Sequence, residues 1–129
     1  MRIDHIAIWT KDLEKTKEFY MKYFDMDCNN KYVNPKKQFS SYFLSFKQAS
    51  CRIELMHNPE IAESLQNYPK TLGLTHFAIS LGSKELVDQL TDHIRKDGYQ
   101  IIGEPRTTGD GYYESVIEDC EGNHVEITA

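Results

Sequence analysis

The sequence predicts an α+β fold made of two copies of one βαβββ module. Two observations carry that prediction. The opening run Ile3-Asp4-His5-Ile6-Ala7-Ile8 returns as Leu74-Thr75-His76-Phe77-Ala78-Ile79. Each copy is then followed by a stretch of helical periodicity and three short runs of strand character. A third observation sets the scale: 129 residues, 40% hydrophobic and 27% charged, make one ordinary globular domain or two very small modules sharing a core.

The first strand is the run 3–8. In the helix after it, Leu13, Thr16, Tyr20 and Phe24 recur near helical spacing, and Thr10 or Asp12 is placed to cap its start. Three strands follow over 28–33, 40–46 and 51–57, divided by turn signals at Asn34-Pro35 and 47–50. Residues 58–72, with Pro59 and Pro69, form a linker that holds one short helix around 60–65. The second strand–helix pair is the run 74–79 and a helix carrying Leu86, Leu90 and Ile94, with Ser83 as its N-cap and Gly98 at its C-terminal end. The last three strands are 99–104, 112–118 and 124–128, separated by Gly109-Asp110-Gly111 and Glu121-Gly122-Asn123. Module one therefore spans 1–57, the linker 58–72 and module two 73–129. Half a domain of this kind leaves one sheet face apolar, so two halves must pack together, within the chain or across a dimer.

Charge and composition exclude several function classes. A net charge of −5, with pI near 5.5, argues against a nucleic-acid partner, which usually demands a basic excess. A small anionic substrate, needing only one or two local cations, remains compatible. No run approaches the roughly 18 apolar residues of a membrane span, and the N-terminus lacks the features of a signal peptide. Cys28, Cys51 and Cys120 are odd in number and irregularly spaced, so they form no disulfide framework, and a reducing cytoplasm is the expected setting.

The chemistry lies in the repeat. Each half carries a His on its first strand and a Glu on its last: His5 with Glu54, and His76 with Glu126. Glu54 sits between Ile53 and Leu55, and Glu126 between Val125 and Ile127. Strand neighbours point to opposite faces, so the aliphatic pair buries one face and the carboxylate turns to the other. Ala7 and Ala78, two residues beyond each His on the same face, leave room beside the imidazole. If the four side chains converge, repulsion and desolvation between the carboxylates must be offset, and a divalent cation does so. Oxygen and nitrogen donors suit zinc, nickel, cobalt, manganese or iron, with the cysteines as spectators. Taken singly, a strand His is commonly a hydrogen-bonded structural residue and a strand Glu a solvent-facing one. The duplication of the pair is what favours a metal site. Of the other histidines, His57 and His93 have no repeat partner, and His124 shares the face of Glu126, where it could support a ligand. The Lys36-Lys37 loop reads as solvated, with an anionic substrate as its alternative partner. Trp9, Phe46 and Tyr113 are candidates for an apolar pocket or for ordinary core.

Asp4-His5-Ile6-Ala7-Ile8 with Phe19-Tyr20, Ile53-Glu54-Leu55, Thr75-His76-Phe77-Ala78, and Asp119-Cys120-Glu121-Gly122-Asn123 leading into Val125-Glu126-Ile127 carry a resemblance over essentially the whole chain. It resembles the glyoxalase/bleomycin resistance/dioxygenase superfamily, the vicinal oxygen chelate proteins. The resemblance implies two βαβββ modules forming a partly open barrel around one divalent metal ion, zinc or nickel first, then cobalt, manganese or iron. A homodimer is implied too. The set His5, Glu54, His76 and Glu126 looks like that of bacterial glyoxalase I, a lyase that isomerises the hemithioacetal of methylglyoxal and glutathione. By that resemblance Glu126 is the catalytic base, with Glu54 as ligand and partner on the other face, although the residues themselves leave the two interchangeable. Asn58 matches a substrate-binding Asn of the family. Trp9 stands where glyoxalase I has an Arg for a glutathione carboxylate, and Arg106 is the nearest basic residue in the second half. The glutathione clamp is thus incomplete, which points to a different thiol conjugate or another small vicinal-oxygen substrate. An epimerase or ring-cleaving dioxygenase on the same scaffold is the alternative enzyme, though Glu54 would fill a position that dioxygen needs. A small-ligand or antibiotic-binding resistance protein is the non-enzymatic alternative, and a complete ligand set speaks against it.

Overall fold

The computed structural model describes residues 2–47, 49–62 and 73–129. The chain divides into two compact units, Met1–Ser64 and Leu65–Ala129. Each holds one sheet and one long helix, and neither sheet closes on itself.

The first unit comprises β1 (His5–Trp9), α1 (Leu13–Phe24), β2 (Asp27–Cys28), β3 (Tyr32–Asn34), a 3₁₀ turn (Pro35–Lys37), β4 (Phe39–Ser45) and β5 (Arg52–His57). The strand order is β1-β5-β4-β2, with β3 also on β4. β1 runs parallel to β5, and the other pairs are antiparallel. Asp12 caps α1 by accepting from the Lys15 amide at 3.0 Å. Thr10, the other candidate, is buried, and its hydroxyl donates to the Met56 carbonyl instead. The stripe Leu13, Thr16, Tyr20, Phe24 faces inward, joined by Phe19 and Tyr23, against Leu44, Ile53 and Leu55. The strand expected over 28–33 is broken into β2 and β3. Asn29 makes the break: its amide donates to the Phe43 carbonyl at 3.1 Å, while its side-chain oxygen accepts from the Phe43 amide at 2.7 Å, replacing a ladder bond with a local one.

The second unit comprises β6 (Phe77–Ser80), α2 (Lys84–Lys96), β7 (Ile101–Thr107), β8 (Tyr113–Glu118) and β9 (His124–Thr128), in the order β6-β9-β8-β7 with β6 parallel to β9. Ser83 caps α2, and Gly98 follows it with φ +88°, the left-handed conformation that glycine adopts at least cost. The core face of α2 keeps Ile94 of the expected stripe but turns Leu86 outward. Val87, Thr91 and Ile94 are fully buried, whereas Leu86 is 47% exposed. A threonine takes the central position because its hydroxyl is satisfied twice, by the Val87 carbonyl and by the Ser115 hydroxyl, each at 2.7 Å. β7 begins later than 99 because the Gly98 and Tyr99 amides still bond back into the helix end. It runs on through Pro105, which an edge strand with register shifts on both sides of Gly103 tolerates. Of the short helix expected over 60–65, residues 63–65 lie outside the described residues, and 60–62 continue a turn closed by Asn58.

Candidate metal centre

Alternation along each strand decides what the two sheets present. In β5, Ile53 and Leu55 are buried under α1, and Arg52, Glu54 and Met56 lie on the face away from it. The parallel register sets Ala7 beside Glu54, with His5 two residues earlier on the same face. The second unit repeats this. Val125 and Ile127 are buried under α2, Glu126 turns to the other face, and Ala78 pairs with it. His76 lies just ahead of β6. The small alanine beside each carboxylate leaves room for the imidazole to reach across.

The imidazoles do reach. His5 Nε2 is 3.7 Å from Glu54 Oε2, and His76 Nε2 is 3.4 Å from Glu126 Oε2. Two donors bound to one ion at about 2.0–2.2 Å stand roughly 3–3.5 Å apart, so each pair is spaced to share a cation with little movement. The carboxylates are mostly withdrawn from solvent, with side-chain exposures of 17% for Glu54 and 16% for Glu126, while their histidines are more open at 38% and 44%. Within each unit the donors come in twos: among the described residues, no group of three or more His, Cys, Asp or Glu side chains is arranged to hold a metal ion. The donor chemistry, imidazole nitrogen with carboxylate oxygen, fits a divalent first-row metal.

The surroundings of the two pairs differ. In the first unit Asp4 Oδ1 accepts from His5 Nδ1 at 3.0 Å and from Arg52 at 2.5 Å. The His5 hydrogen bond and then the Arg52 guanidinium hold the Asp4 carboxyl down at about 2. Phe43 sits between them, its ring edge-on to His5 and under the Arg52 guanidinium. In the second unit a further carboxylate, Glu114, shares the open face. It is paired with Arg106 at 3.2 Å, and its pKa is raised, first by burial and then by the charge of Glu126. Sequence reasoning missed Asp4, Arg52 and Glu114. The signal for Asp4 was its place next to His5. Those for Arg52 and Glu114 were their even spacing from Glu54 and from Glu118, which puts them on the open faces.

The remaining candidates are dispersed. Trp9 is half exposed and edge-on to Phe39, at the end of the sheet opposite Phe46, which follows Ser45 beside Arg52 and His5. Trp9 and Phe46 thus lie toward opposite ends of the first sheet. Tyr113, in the other unit, donates to Asp88. Asn58 donates to the Lys37 carbonyl and accepts from the Glu60 amide. His57 Nδ1 lies 2.9 Å from the Thr10 carbonyl, His93 is near Asp97, and His124 is 3.7 Å from Glu118. Lys36 and Lys37 are exposed in the 3₁₀ turn.

Against known proteins, a sequence profile of the Glyoxalase/Bleomycin resistance protein/Dioxygenase superfamily matches residues 2–127. The chain belongs to this superfamily. Within the superfamily it is 29% identical over 129 residues to a lactoylglutathione lyase of Arabidopsis thaliana, covering 98% of this chain and 43% of that protein. A protein of Bacillus subtilis is 27% identical over 128 residues, covering 97% of this chain and 96% of that one. The chain thus spans less than half the length of the plant relative. Glyoxalase I from Zea mays has the same fold, with TM-score 0.78 at 24% identity over 98% of this chain and 44% of that one. A glyoxalase family protein of Enterococcus faecalis aligns with TM-score 0.78 at 23% identity over 99% and 97%.

Proposed function

We propose that this glyoxalase-superfamily chain is a metal-dependent lyase of the glyoxalase I type, acting on the hemithioacetal of a small 2-oxoaldehyde and a thiol. His5, Glu54, His76 and Glu126 hold one divalent ion, zinc or nickel foremost, within a chain or shared between two copies in a homodimer. The observation that carries the reading is the duplicated His–Glu pair, at 3.7 and 3.4 Å, at equivalent places in two similar units. The name of the plant relative supports the reaction class.

An ion held there supplies a Lewis acid that draws charge from two neighbouring substrate oxygens. The residues do the rest. Glu126 takes the proton from the carbon bearing sulfur and returns it to the adjacent carbon. Glu54 holds its place opposite, and the two histidines fix the geometry. Trp9 and Arg106, both about half exposed, are the side chains offered to the thiol portion. Asn58 contributes through the turn it closes after β5. An indole in place of a cation favours a thiol less anionic than glutathione at that end.

A spectrophotometric assay with methylglyoxal and a panel of thiols, including glutathione, tests the reaction. Turnover should require a divalent ion, vanish with a chelator and return on adding nickel, zinc or cobalt. At a metal concentration high enough to fill its weakened site, Glu126→Gln should lower kcat by about 10²–10⁴-fold. Tight metal binding with no turnover of any thiol adduct would reject the lyase and leave an epimerase or dioxygenase to be assayed. A protein that takes up no metal would favour a ligand-sequestering role.

A further inference from the structure

The two histidines of the repeat are not equally supported. Asp4 is the residue immediately before His5, and in a strand adjacent side chains would ordinarily diverge. Here Asp4 directly precedes β1, and its carboxylate turns back to His5 Nδ1 at 3.0 Å. Arg52, opposite His5 in the parallel register, holds the same oxygen, Oδ1, and its backbone amide donates to the Asp4 carbonyl at 3.0 Å. Asp4 is therefore fixed at both its main chain and its side chain by one residue of the neighbouring strand. Arg2 stands 3.8 Å from the other carboxylate oxygen. The position before His76 is Thr75, and among the described residues no carboxylate meets His76 Nδ1.

An ionised carboxylate has no proton to give, so the hydrogen in the Asp4–His5 contact belongs to Nδ1. A neutral imidazole protonated at Nδ1 has its lone pair at Nε2, the atom that faces Glu54 at 3.7 Å. We propose that Asp4, locked by Arg52, is a positioning residue that sets His5 in the Nδ1–H tautomer and aims Nε2 at the cation, making the first unit the pre-organised half of the metal site. This rests on the proposed metal reading for its functional meaning, while the tautomer itself is a property of the metal-free protein. Carboxylates that orient a ligating histidine in this way typically govern metal affinity by about 10–100-fold.

Two measurements test it. Long-range ¹⁵N–¹H NMR of the imidazoles, on metal-free protein at a pH where His5 is neutral, should show His5 protonated at Nδ1, and in Asp4→Ala it should move to the Nε2–H form. Calorimetric titration with Zn²⁺ should show Asp4→Ala weakened by about 10–100-fold. Asp4→Asn, which keeps an acceptor oxygen, should recover part of the loss and most of the tautomer. A wild-type His5 protonated at Nε2, or an Asp4→Ala protein that binds Zn²⁺ as wild type does while His5→Ala does not, would overturn the proposal. Zn²⁺ binding unaffected by His5→Ala would instead refute the metal reading, with the NMR result still deciding the tautomer.

Discussion

Asp119 shows how much one side chain carries in this fold. It is 4% exposed, and its carboxylate accepts from the Glu121 and Asn123 amides and from the Asn123 side chain, all at 2.9–3.2 Å. Those bonds close the turn that delivers β9, and with it Glu126. Asp119→Ala leaves two amides without their acceptor and should cost about 1–3 kcal/mol in urea denaturation. Metal affinity should fall with it, because the strand entering the site loses its anchor. At this scale the sequence displayed the donors but not their supports. His5, Glu54, His76 and Glu126 were legible because each lies in a short aliphatic run whose alternation fixes its face. Arg52 and Glu114 lie on those same faces, but their roles depend on strand register, which a single sequence does not specify. Asp4 adjoins His5 in the sequence, but its bond to Arg52 depends on that register as well.

Among the elements, α2 separates pattern from burial. Counting apolar residues favours a face through Leu86 and Ile94, and the fold buries Ile94 with Val87 and Thr91 but not Leu86, because the Thr91–Ser115 bond makes a polar core position affordable. Ile94→Ala should therefore cost about 2–5 kcal/mol, whereas Leu86→Ala, at a half-exposed site, should stay within about 0.5 kcal/mol. Removing the helix cap with Ser83→Ala should cost about 1 kcal/mol. Chemical denaturation of the three variants ranks them directly. In α1 the expectation concerns pH. Glu14 is held at about 2 by Lys17 first and then Lys31, with Tyr42 adding a hydrogen bond. A carboxyl depressed in the folded state stabilises fully above its unfolded value and loses that contribution as pH falls through its folded one. Melting curves should show Glu14→Gln below wild type near neutrality, with the gap closing between about pH 4.5 and 2. The effect should be small, because the carboxylate is half exposed. Helix positions were readable from periodicity and caps. The β2–β3 break was not, since it hangs on the pairing of Asn29 with Phe43, fourteen residues away.

For the whole molecule, duplication is the organising fact. Each unit puts one His–Glu pair on the face its helix leaves open, and two donors alone make a weak site. If both pairs serve one ion, as proposed, losing that ion should destabilise the protein. Stripping the metal with a chelator should lower the melting temperature, by about 10 °C if the ion was present at a hundredfold its Kd. The most direct measurement is the stoichiometry of metal binding, per chain, in wild type and in His5→Ala, Glu54→Gln, His76→Ala and Glu126→Gln. One ion per chain, with every variant weakened by a hundredfold or more, is the predicted result. Two ions per chain, or full affinity surviving the loss of either pair, would contradict it.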